Sequence, residues 1–71
     1  MYKWAMRFNG FPMSHVSFDS LEDAKKSLRA LKDKIASEGD YHFDKVEETY
    51  FVVIDRVTFR ASSFDVCLVS R

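Results

Sequence analysis

Tyr2-Lys3-Trp4-Ala5-Met6-Arg7-Phe8-Asn9-Gly10-Phe11-Pro12-Met13-Ser14-His15-Val16-Ser17-Phe18 is the stretch that decides the fold. Tyr2, Trp4, Met6 and Phe8 alternate with Lys3, Ala5 and Arg7, which is the period of an extended strand. Asn9-Gly10 follows, and both residue types tolerate the positive φ that a two-residue type I′ turn demands. Folding back there in unbroken register predicts Phe8 opposite Phe11, Met6 opposite Met13, Trp4 opposite His15 and Tyr2 opposite Ser17. Cross-strand partners share a face, so one side of the hairpin becomes apolar throughout. The other side carries Lys3, Ala5, Arg7, Pro12, Ser14, Val16 and Phe18. Pro12 has no N–H to give to a ladder, which suits an edge strand or a pair end beside the turn.

Downstream of the hairpin, Asp19-Ser20 opens a helix. Ser20 with Asp23, or Asp19 with Glu22, supplies the capping pattern. Leu21, Ala24, Leu28, Leu31 and Ile35 recur at spacings of three and four and form one apolar stripe. Glu22 and Asp23 in the first turn, and Lys34 near the end, suit the helix dipole. Gly39 is expected to stop the helix in a left-handed conformation. The helix is therefore expected over about 20–38.

Beyond Asp40 there is neither glycine nor proline, so turns are harder to place. Tyr50-Phe51-Val52-Val53-Ile54 is apolar on both parities, the pattern of a central strand covered on both faces. Val57-Thr58-Phe59 reads as its continuation, Ala61-Ser62-Ser63 as a turn, and Phe64 to Val69 as the last strand. His42 to Val46 fits either a short strand or a loop. The expected architecture is a single α+β domain of ββαββ order, a mainly antiparallel four-stranded sheet with one helix on one face. Its parts are a hairpin over about 2–18, the helix, and C-terminal strands over about 42–70.

Seventy-one residues lie near the lower limit for a core without staples. Cys67 is the only cysteine, so no internal disulfide forms, and apolar burial or oligomerisation must supply the stability. The N-terminus lacks the apolar run of a signal peptide and no segment is long enough to span a bilayer, so a cytoplasmic protein away from membranes is expected. Eleven basic and eleven acidic residues balance. Residues 1–18 sum to +2, residues 19–39 to zero and residues 40–71 to −2, so no segment has the basic excess of a general nucleic-acid binder.

Candidate chemistry is sparse. Asp40, His42 and Asp44 have strand spacing for a metal, but no second histidine or cysteine is near in sequence, and a solvated strand entry accounts for them. His15 or His42 with Cys67 matches no nucleophile–base pattern, and Val66-Cys67-Leu68 reads as a buried apolar run. Lys25, Lys26, Arg29, Lys32 and Lys34 interleave with acids as on a solvated helix face. No catalytic residue, metal or cofactor is therefore assigned.

Eleven aromatic residues remain, none in the helix. Most are needed for the core, with Trp4, Met6, Phe51, Val53 and Leu68 expected against Leu28 and Leu31. A few rings must stay exposed. Phe11 beside the turn and Phe18 on the opposite face are the expected contacts, flanked by Asn9, Arg7 and Lys3. These features predict a non-catalytic, stoichiometric protein-binding module, an inhibitor or accessory factor. Chains of this size are common among phage and mobile-element products, so a host nuclease or other defence complex is a natural target. Self-association through a sheet edge or the uncovered face is the companion expectation. The alternative is a single-stranded nucleic-acid binder that stacks bases on sheet aromatics beside Lys3, Arg7, Arg56 and Arg60.

Overall fold

A computed structural model of the chain describes residues 2–70, with residues 14 and 15 given by their backbone alone. The hairpin forms where the sequence places it. Strand β1 (Tyr2–Phe8) and strand β2 (Phe11–Phe18) meet at Asn9 (φ 52°) and Gly10 (φ 86°), the two positive φ angles of a type I′ turn.

The register beyond the turn departs from the expectation. Phe8 faces Phe11 and Arg7 faces Pro12, but Ala5 faces Ser17 and Trp4 faces Phe18, with an irregularity between Ala5 and Arg7. Trp4 therefore pairs with Phe18 and not with His15, whose side chain lies outside the described residues. The shift has an odd number of residues, so it reverses the parity of the second half of β2. Phe18 moves from the open side to the helix side, where it, Val16 and Met13 pack against the core.

Helix α1 (Leu21–Glu38) starts at Ser20, whose hydroxyl accepts a hydrogen bond from the Asp23 N–H at 3.2 Å. That selects Ser20 over Asp19 as the cap. Gly39 at the other end is extended (φ −172°), so the expected left-handed stop is corrected. What glycine provides there is room: a Cβ would lie 2.9 Å from Cε2 of Tyr41. The last turn carries no basic residue, since the helix runs past Lys34 to Glu38.

Three strands follow, β3 (Tyr41–Val46), β4 (Tyr50–Asp55) and β5 (Ala61–Ser70), making the order ββαβββ and the sheet five-stranded instead of four-stranded. Residues 41–46 are a strand because they pair with β4, with a bulge between Phe43 and Val46. Val57-Thr58-Phe59 does not prolong β4, and Ala61-Ser62-Ser63 is strand, not turn. The Asp55 carboxylate accepts from the N–H of Val57 (2.7 Å) and of Thr58 (3.2 Å), which ends the strand and bends the chain.

The strand order is β2-β1-β5-β4-β3, with every described pairing antiparallel. The chain is a single α+β domain. The helix carries it from β2 at one edge to β3 at the other, and β5 closes the gap between β1 and β4. Met6, Ala24, Leu28, Phe51, Val53 and Val66 form the buried core between helix and sheet. Trp4 and Leu31 are only half-buried. Leu68 is 52% exposed, because β5 overhangs the start of β4 and Leu68 has a paired strand neighbour, Trp4, only on the β1 side.

Candidate binding surface

The helix-side face of the sheet carries a row of aromatic rings. Phe8 lies 5.0 Å from Phe64, Phe64 stacks on Phe51 at 5.1 Å, and Phe51 meets Phe43 edge-on at 5.8 Å. Lys32 covers the far end, its ammonium 5.3 Å from the Phe43 ring. Burial falls steeply along the row. Phe51 is 1% exposed, Phe8 is 42% exposed, and Phe11, opposite Phe8 across the turn, is 76% exposed.

The turn that carries Phe8 and Phe11 is fastened to the sheet. The Asn9 N–H donates to the Ser63 carbonyl, and the Ser63 N–H donates to Asn9 Oδ1, both at 2.8 Å. Asn9 thus acts as a bracket that ties the turn to β5. Further along the strands, the β4–β5 turn presents Val57 (77% exposed) and Phe59 (80% exposed) at the same end of the sheet. Phe59 has φ 62°, unusual for an aromatic residue. Its N–H donates to the Asp55 carbonyl at 2.8 Å, Arg60 returns a carbonyl to the Asp55 N–H at 3.0 Å, and Arg56 bridges to Asp40 at 3.4 Å. Two held turns therefore display four apolar side chains at one end of the molecule.

Of the residues singled out in the sequence, Phe11 and Asn9 belong to this end. Arg7 does not. It lies on the face opposite the helix, where its guanidinium forms a two-pronged pair with Asp65, Nε to Oδ1 at 3.0 Å and Nη2 to Oδ2. The hydrogen bond to Asp65, and then its charge, raise the arginine above its already high pKa. Lys3 pairs with Asp19 at 3.3 Å near the far end. Phe18 is not the exposed ring expected, for the parity reason given above. Sequence reasoning missed Phe8, Val57, Phe59 and Ser63 as parts of the surface. The readable signal was Asp55 followed by Thr58, an acceptor placed to turn the chain and so to bring Val57 and Phe59 out of the strand.

Cross-strand register assigns Lys3, Ala5, Arg7, Tyr50, Val52, Ile54, Asp65, Cys67 and Val69 to the open face. Tyr50 is the one aromatic residue placed there by the register of the three central strands. His42 pairs with Ile54 on β3, whereas Cys67 pairs with Ala5. They are two strands apart and about 20 Å apart along the strands, so the thiol–imidazole pair does not assemble. Among the described residues no three histidine, cysteine or acidic side chains gather in a metal-binding group.

A cleft of about 230 Å³ separates α1 from the β3–β4 connection, floored by Leu28 and Phe51. Lys25 closes it by bridging to Glu48 (3.1 Å) and Glu22 (3.6 Å), and the Glu48 hydrogen bond raises the Lys25 pKa. No described helix is long and apolar enough to cross a membrane. Set against protein-family models, curated proteins and solved structures, the chain has no significant match to any of them.

Proposed function

We propose that this chain is a stoichiometric, non-catalytic protein-binding module, an inhibitor or accessory factor that grips a larger partner with the aromatic end of its sheet. The observation that carries this reading is Phe11, three-quarters exposed on a turn locked to Ser63 by two reciprocal hydrogen bonds. A turn whose backbone is fixed before binding has little backbone ordering entropy left to lose, which favours its exposed aromatic residue as an interface anchor. Phe8 adjoins it across the turn, and Val57 and Phe59 offer further exposed apolar side chains on the second turn at that end of the sheet.

The nucleic-acid alternative receives less support. Its rings belong on an open sheet face, whereas the aromatic row lies under the helix and Tyr50 is left largely alone opposite. Lys3, Arg7 and Arg56 are each already paired with a carboxylate. Frequent use of small inhibitors by phages and mobile elements makes a host nuclease complex the first partner to try. The test is affinity capture from the native host with wild type, Phe11→Ala and Phe59→Ala side by side. A partner retained at one-to-one stoichiometry by wild type and lost from Phe11→Ala is the expected result. Equal retention by all three, or capture of single-stranded RNA that survives the Phe11 change, would overturn the reading.

A further inference from the structure

Across the cleft between α1 and the β3–β4 connection, charge is sorted by wall. Lys25, Arg29 and Lys32 line the helix side, joined by Asp33, while Glu47 and Glu48 line the side of the connection. Three cations and three anions share the cleft, so its lining is neutral as a whole. Between the walls the surface is apolar. Leu28 and Phe51 form an almost wholly buried floor, and Val46 beside them is 49% exposed. Backbone on both sides is fixed before anything binds, by the helix and by the Glu47 N–H, which donates to the Tyr50 carbonyl at 2.8 Å.

Two of the three cations are already engaged, Lys25 with Glu48 and Lys32 over the Phe43 ring. One helical turn beyond Lys25, Arg29 faces the cleft with no carboxylate in ion-pair reach, and Glu47 faces it with no cation, among the described residues. We propose that the gap between Arg29 and Glu47 binds a small zwitterion with an apolar body, a free α-amino acid such as phenylalanine or leucine. Its carboxylate meets the Arg29 guanidinium, whose planar fork matches that group. Its ammonium meets Glu47, and its side chain covers Val46 above Leu28 and Phe51. A ligand of one charge is attracted by one wall and repelled by the other, whereas a zwitterion offers each wall its opposite.

The volume sets the size of the ligand. A water molecule takes about 30 Å³ in the liquid, and bonded atoms pack more closely than that. The cleft of about 230 Å³ therefore holds a body of about ten non-hydrogen atoms, an amino acid and not a length of chain. A ligand of that size binds with a dissociation constant of about a millimolar. The β3–β4 connection lies at the opposite end of β4 from the turn that carries Phe59, so ligand binding and partner capture are separate properties, and either can fail alone.

Amide chemical-shift mapping of the isotope-labelled chain tests the site with probes that share one apolar body. These are phenylalanine, phenylpropionate, which lacks the ammonium, and phenethylamine, which lacks the carboxylate. Phenylalanine is expected to move the amides around Arg29 and Glu47 saturably, to leave those of Phe11 and Phe59 in place, and to bind about fivefold more tightly than either singly charged probe. Arg29→Gln should abolish the preference over phenethylamine and keep the preference over phenylpropionate, and Glu47→Gln should do the reverse. Both positions are exposed, so neither change threatens the fold. The absence of any saturable shift in wild type by about 20 mM phenylalanine overturns the proposal. So does equal binding of the probes by wild type, or a preference for phenylalanine that both variants retain in full.

Discussion

Truncating Phe51 to alanine removes the centre of the aromatic row. The side chain is 1% exposed, stacks on Phe64 at 5.1 Å and touches Phe43 edge-on at 5.8 Å. Loss of a wholly buried phenylalanine costs about 4 kcal/mol from transfer and residual cavity. Little relaxation is available, because Leu28 and Val53 on either side are themselves buried and belong to backbone fixed by the helix and by two neighbouring strands. A chain of this size has a total stability of about 4–10 kcal/mol. Phe51→Ala should therefore leave the protein marginal or unfolded at room temperature. Phe51→Leu, which keeps most of the volume and loses the ring contacts, should cost about 1.5 kcal/mol. Urea unfolding followed by far-ultraviolet circular dichroism reads both. With a slope of about 1 kcal/mol per molar, the leucine variant moves the midpoint down by about 1.5 M. A cooperative alanine variant that loses less than about 1.5 kcal/mol would show that Phe51 is not the keystone its burial indicates.

Phe11→Ala should change stability by no more than about 0.5 kcal/mol, since three-quarters of the ring is already in water, while weakening partner affinity by about 30-fold or more. Thermal melts beside a binding titration separate the two effects. Phe59→Gly relieves an aromatic residue of positive φ and should stabilise the fold by about 1 kcal/mol, raising the midpoint by several degrees in calorimetry, and it should cost affinity if the β4–β5 turn joins the contact. The Lys25 pKa is raised above 10.5 by its hydrogen bond to Glu48, so the folded value exceeds the unfolded one. Its contribution is complete below the unfolded value and fades as pH rises through the folded one. Wild type should therefore lose more thermal stability than Lys25→Met when the pH is taken above 10.5, and the two should respond alike to smaller changes near neutrality.

The type I′ turn, the Ser20 cap and the apolar stripe of α1 were legible because each depends on neighbours within a few residues. Asn9 and Gly10 accept positive φ wherever they stand, and Leu21, Ala24, Leu28, Leu31 and Ile35 share a face at any helical repeat. Phe11 was legible as exposed for the same reason, since it adjoins the turn. The partners of Arg7 and Asn9 were not. Asp65 and Ser63 are 58 and 54 residues away, and they arrive only because β5 inserts between β1 and β4.

Local chemistry written in the chain thus determined the hairpin, the helix and the α+β class. Tertiary structure decided which rings show. The irregularity in β2 turned Phe18 inward, the Asp55 turn threw Phe59 outward, and the central placing of β5 brought Asp65 to Arg7. A face of a sheet belongs to several strands at once, and a single shift of register reassigns every side chain beyond it.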